Sequence, residues 1–176
     1  MAYPLRRQCG DSQTLDWLPH LLFFKGYIKG NSMTIKAIET EYGGYLFRSR
    51  LEARWAVFLD ELGIAYEYER EGYEVATGVW YLPDFHIADG WLEIKHKDYN
   101  DDGALEKMGA LVAGLNEPGI IVYGEPFNHQ GVLFLPHFLK PGYTRHLANF
   151  NNLTNAKEAA RIAQQVRFEH GASHAR

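Results

Sequence analysis

The sequence predicts a mixed α/β domain, and three observations carry that expectation. Apolar residues recur at helical spacing over Ser49–Leu62 and again over Gly103–Leu115; the chain between them alternates apolar and polar residues at strand periodicity; and Asp89-Gly90, a dipeptide suited to tight hairpins, interrupts the alternation. No internal repeat is visible.

Residues 1–32 mix polar, glycine and apolar residues without period. They are expected to form a disordered or loosely packed N-terminal extension, with the domain spanning 33–150 and a C-terminal helix and tail, 151–176, packed on it. The first helix places Leu51, Trp55, Phe58, Leu59 and Leu62 on one buried face and stops at Gly63. Ile64–Glu69 and a stretch around Tyr73 and Val75 alternate as strands, and Val79–Ile87 and Trp91–His96 follow as two more. A helix from Gly103 to Leu115, capped by Asp102, turns Leu105, Met108, Val112 and Leu115 inward. Gly119–Tyr123 and Gly131–Leu135 read as buried strands separated by a Gly124–Gln130 loop. Asn155 with Glu158 offers a capping box for a last helix ending near His170-Gly171.

Composition narrows the function classes. With 176 residues, 46% of them hydrophobic and 23% charged, the chain can bury a core, which excludes bulk disorder and a coiled coil. A single cysteine, Cys9, permits no internal disulfide and no Cys-rich zinc site, so a reducing, cytoplasmic setting is expected. The longest apolar run, Leu18–Phe24, is interrupted by Pro19 and His20 and falls short of a membrane span, and no signal-peptide pattern follows Arg6 and Arg7. The net charge of −4 argues against a protein that coats nucleic acid electrostatically. Its source is local: residues 33–100 hold seven basic and thirteen acidic groups, against seven and seven in 101–176.

The hairpin in that acidic segment sorts its side chains. With Asp89-Gly90 as the turn, Ile87 opposes Leu92, His86 opposes Glu93, Phe85 opposes Ile94 and Asp84 opposes Lys95. Phe85, Ile87, Leu92 and Ile94 then share one face, and Asp84, His86, Glu93 and Lys95 share the other. On any hairpin such a polar face is first a solvated surface with a weak cross-strand ion pair.

Here the spacing adds chemistry. Pro83-Asp84, eight intervening residues and Glu93-Ile94-Lys95 form a pattern that resembles the signature of the PD-(D/E)xK nuclease superfamily. The segment Phe47–Trp55 supplies Glu52 on the preceding helix. With Leu62-Gly63-Ile64 and Tyr66-Glu67-Tyr68-Glu69, residues 33–124 are similar to small phage and bacterial endonuclease-like proteins. The resemblance implies a restriction-endonuclease-like core, a mixed sheet of about 4–5 strands flanked by helices in αβββαβ order. It implies a Mg²⁺- or Mn²⁺-dependent deoxyribonuclease leaving 5′-phosphate and 3′-hydroxyl ends. Asp84, Glu93 and the Ile94 backbone carbonyl would hold the metal, and Glu52 a second metal or a metal-bound water. Lys95 would orient the attacking water and offset transition-state charge. DNA is the implied partner, and two-strand cleavage would call for a homodimer.

Several of these residues carry a second, purely structural account. Ser49 and Glu52 have capping-box spacing. His86 could contact phosphate or simply be hydrogen-bonded or solvated. Arg48 and Arg50 could bind DNA phosphates, as could a stripe of Lys157, Arg161 and Gln164 on the last helix; solvation accounts equally for Arg54. A non-catalytic DNA-binding or assembly module on the same fold is the alternative function, although a decayed site would have little reason to keep Glu52, Asp84, Glu93 and Lys95 together.

Overall fold

A computed structural model describes residues 37–88, 90–96, 103–137 and 142–168. The extension 1–32, its boundary at 33, Asp89, Asp102 and the segment His170-Gly171 lie outside them. Among the described residues the chain is mixed α/β. Its strands are β1 (Thr40–Tyr42), β2 (Tyr45–Phe47), β3 (Tyr66–Tyr68), β4 (Tyr73–Ala76), β5 (Val79–Tyr81), β6 (Phe85–Ile87), β7 (Gly90–Lys95), β8 (Gly119–Glu125), β9 (Asn128–Pro136) and β10 (Tyr143–Ala148). The helices are α1 (Arg50–Glu61), α2 (Ala104–Leu115) and α3 (Ala156–Gln165).

Six strands form one mixed sheet in the order β10-β9-β8-β7-β6-β3, one or two more than expected. Only β7 and β8 run parallel; a parallel pair needs a crossover, and α2 supplies it. Strand alternation divides the core between the two faces. Leu92, Ile94 and Val122 join Phe58, Leu59 and the alanines Ala156, Ala159, Ala160 and Ala163 under α1 and α3, while Trp91, Ile121 and Phe134 meet Met108, Leu111 and Val112 under α2. The alanine stripe lets α3 approach α1 closely.

The predicted stripe of α1 is present, with Trp55, Phe58 and Leu59 fully buried. Ser49 Oγ accepts the Glu52 N–H at 3.2 Å to start the helix, and Gly63, at φ +68°, follows its end.

Elsewhere local expectations give way. The predicted strand Val79–Ile87 is two strands, broken at Leu82-Pro83-Asp84, where proline has no N–H for the ladder. The Gly124–Gln130 loop shrinks to the turn Pro126-Phe127, because β8 and β9 extend into it. Gly124 permits this: at φ +104°, a Cβ there would lie 2.5 Å from the Asn128 carbonyl oxygen. The β1–β2 hairpin, turning at Gly43-Gly44, and the edge strand β10 were not expected from the sequence. At α3, Asn155 has φ +64° and makes no side-chain cap, Glu158 pairs with Arg161 instead, and the helix ends at Gln165, short of His170.

The central hairpin keeps its predicted faces but changes its register. Phe85 pairs with Leu92, His86 with Trp91 and Ile87 with Gly90, so Gly90 belongs to the ladder rather than to the turn. Gly90 serves close approach: a Cβ there would lie 2.9 Å from the Pro118 carbonyl oxygen, which accepts the Trp91 N–H at 3.0 Å. Continued one residue outward, this register sets Asp84 against Glu93, where the expected register set it against Lys95. A shift of two preserves side-chain parity, so the two carboxylates move together without leaving their face.

Candidate active site

The expected residues Glu52, Asp84, Glu93, Ile94 and Lys95 line one open cleft of about 390 Å³, at the end of β7 and beside the start of α2. Arg48 and Lys107 enter it from the β2–α1 junction and from α2, and Trp80 and Leu82 stand on its rim. The carboxylates are buried although the cleft is open: Asp84 is 3% exposed, Glu93 4% and Glu52 9%. Buried carboxylates must be hydrogen-bonded or ion-paired, and each of these is.

Asp84 is held from two sides. Its Oδ2 accepts the Ile94 N–H at 2.7 Å, and its Oδ1 meets Arg48 Nη2 at 2.7 Å. Glu93 Oε2 accepts the Asp84 N–H at 3.3 Å, and Glu93 Oε1 lies 2.6 Å from Lys95 Nζ. Each of the two residues thus steadies the other's backbone or carboxylate, a consequence of the register described above.

Glu52 completes a second cluster at the start of α1. Its Oε1 accepts Ser49 Oγ–H at 2.7 Å, and its Oε2 accepts the Tyr68 hydroxyl at 2.6 Å and the Arg48 N–H at 3.2 Å. The box is modified, since the backbone N–H that Glu52 accepts belongs to Arg48 rather than to the cap residue itself. Capping and cleft placement are therefore both realised by the same side chain.

The electrostatics follow from burial. Desolvation pushes the Asp84 carboxyl well above the usual carboxylate range, and the negative charges of Glu93 and Glu52 push it further, against the Ile94 N–H and the Arg48 guanidinium. Burial likewise raises the Tyr68 hydroxyl, helped by its bond to Glu52. Arg48 moves upward overall: burial works to lower it, but Tyr68, Asp84 and Glu69 more than offset that. Its Nε also lies 2.6 Å from Glu69 Oε1.

Among the described residues no three His, Cys, Asp or Glu side chains form a ready group for a metal ion. The pair Asp84 and Glu93 still suits a hard cation. Mg²⁺ is ordinarily held by one or two protein carboxylates with water completing its shell, and Asp84 is a buried carboxyl whose ionisation a nearby cation would favour. Asp84 Oδ1 would have to exchange Arg48 for such an ion.

The remaining candidates lie elsewhere. His86 is absent from the cleft lining; its ring packs edge-on against Trp91, with Nδ1 3.2 Å from Arg70 Nη1. Arg50 faces a different hollow together with Arg54. Lys157 and Arg161 are exposed on α3, and Arg161 Nε donates to Glu158 Oε2 at 2.8 Å. Tyr68, Glu69 and Lys107 were missed from the sequence. Tyr68 and Glu69 sit in the quoted Tyr66-Glu67-Tyr68-Glu69 stretch, but nothing local marks them as partners of residues some twenty positions earlier. Compared with known proteins, the chain matches no family model, no curated sequence and no solved structure.

Proposed function

We propose that this chain is a divalent-cation-dependent endonuclease of the PD-(D/E)xK type, hydrolysing DNA phosphodiester bonds to leave 5′-phosphate and 3′-hydroxyl ends. The observation that carries this is the juxtaposition of Asp84, just before β6, with Glu93 on β7, and of Lys95 Nζ 2.6 Å from Glu93, all lining one open cleft. The helix α1, the strands up to β7 and the α2 crossover to parallel β8 are in keeping with the αβββαβ core of that superfamily.

In this function Asp84, Glu93 and the Ile94 carbonyl would hold Mg²⁺ or Mn²⁺, with Glu52 beside them. The ion supplies Lewis-acid stabilisation of charge developing on the phosphoryl oxygens. Lys95, tethered to Glu93, holds the attacking water and places a positive charge next to the scissile phosphate. Tyr68 and Ser49 fix Glu52 in one rotamer. Were a cation to take its place on Asp84, Arg48 would keep its Nε on Glu69 and turn its Nη2 toward an adjacent phosphate.

The test is a cleavage panel of duplex, single-stranded and branched DNA with Mg²⁺ or Mn²⁺. Asp84→Ala and Lys95→Ala should each lower cleavage by about 10²-fold or more. Wild-type rates in both variants would reject the assignment. One observation favours a second function, a non-catalytic DNA-binding or assembly module: Arg48 and Lys95 already match both carboxylates. That module would bind DNA without metal and cut none of the panel.

A further inference from the structure

We infer that a second hollow, formed where the start of α1 meets the end of α3, binds a backbone phosphate of the nucleic-acid strand whose neighbouring phosphate enters the cleft. The substrate class here rests on the function proposed above. The hollow measures about 700 Å³, against about 390 Å³ for the cleft, and its polar lining is Arg50, Arg54, Gln164, Gln165 and Arg167. Among the described residues no acidic side chain lines it. Val166 and Phe168 supply the apolar part.

Arg54 is held in place for such a role. Its Nη1 lies 2.7 Å from Glu125 Oε1, while its Nε is buried without a hydrogen-bond partner among the described residues. The pair with Glu125 fixes the guanidinium, whose side chain is 30% exposed and lines the hollow, where its charge faces an anion. Gln165 Oε1 accepts Arg161 Nη1 at 2.9 Å, which leaves its amide N–H groups for another acceptor. Arg50 and Arg167 add two further positive charges, and guanidinium groups match phosphate oxygens in bidentate geometry.

The hollow also sits at the correct end of the sheet. Lys95 pairs with Tyr123 on β8, and Glu125, the anchor of Arg54, lies two residues further along the same strand. Strand rise and strand spacing put the Lys95 and Glu125 backbones roughly 8 Å apart. A single strand crossing the end of β7 and β8 can therefore reach the cleft and the arginines together.

The experiment measures binding of a fluorescein-labelled oligonucleotide to the full chain in EDTA, where no metal-dependent cleavage occurs, over a series of salt concentrations. The doubly substituted Arg50→Gln/Arg167→Gln protein removes two cations and spares the Arg54–Glu125 pair. It should bind about 10–100-fold more weakly and flatten the slope of log K against log salt by about two. Arg167→Glu alone, in the segment after α3, gives a second measure if the double variant proves unstable, and should weaken binding by about tenfold. Unchanged affinity and slope in a folded variant, or no DNA binding by the wild type, would overturn the phosphate site. So would a variant that binds DNA normally but no longer binds poly-glutamate, which would identify an acidic polypeptide as the occupant. Cleavage is read separately: an unchanged slope beside loss of cutting in Lys95→Ala removes this site and leaves the nuclease, whereas a flattened slope with no cutting by the wild type does the reverse.

Discussion

Removing one oxygen, the Tyr68 hydroxyl, tests whether Glu52 is held by the cluster described here. Tyr68→Phe retains the ring, which packs on Phe47 at 4.4 Å and on Phe85 at 5.5 Å between centroids, so apolar burial is preserved. What is lost is the 2.6 Å bond to Glu52 Oε2. Hydrogen bonds to a charged partner contribute about 1.5–3 kcal/mol. The Arg48 N–H loses the Tyr68 oxygen as an acceptor but keeps Glu52 Oε2 at 3.2 Å, so no buried donor is orphaned. The expected destabilisation is about 2 kcal/mol, or a fall in Tm of about 4–8 °C for a chain of this size. Urea unfolding at neutral pH measures it, with Tyr73→Phe as control. The Tyr73 hydroxyl bonds Glu71 at an exposed site, so its removal should cost under about 0.5 kcal/mol. A cycle with Glu52→Gln should show coupling of about 1 kcal/mol or more. If Tyr68→Phe proves as stable as Tyr73→Phe, the cluster does not hold Glu52 in the way argued.

Two further outcomes follow from the same geometry. Because the Asp84 carboxyl is raised above its unfolded value by burial and by Glu93 and Glu52, its contribution to stability is greatest below pH about 4 and is lost as pH rises through its folded pKa. In EDTA, Asp84→Asn should therefore gain in Tm relative to wild type with rising pH, and millimolar Mg²⁺ should raise the Tm of the wild type alone; parallel Tm-versus-pH curves would contradict this. Gly90→Ala forces a Cβ to within 2.9 Å of the Pro118 carbonyl oxygen and should cost about 1–3 kcal/mol in urea unfolding, while a loss below about 0.5 kcal/mol would show that the approach of β7 to Pro118 is slack.

How much of this was legible beforehand depends on the range of the signal. The stripe Trp55, Phe58 and Leu59 and the inward residues Met108 and Val112 announce α1 and α2, because helical spacing is local and both helices bury a face. Edge strand β10 escaped notice: most of its residues are exposed, with Leu147 93% exposed, so no apolar alternation marks it. Asn155 and Glu158 have the letters of a capping box, but the chain enters α3 with Asn155 in the left-handed region and Glu158 finds Arg161. Gly90 has the letters of a turn, yet its lack of a Cβ is used against Pro118, nearly thirty residues away.

By itself the sequence determined the α/β class, the two long helices, and the face on which Asp84, Glu93 and Lys95 lie, because each depends on periodicity within a few residues. Only the tertiary structure decided that Asp84 stands against Glu93, that Arg48 pairs with Asp84 and Glu69, that Tyr68 grips Glu52, and that Arg50 and Arg54 share a hollow with Arg167. The physical reason is common to all four. Side-chain parity survives a two-residue slip, but hydrogen bonds and charges act over a few ångströms between segments that only folding brings together.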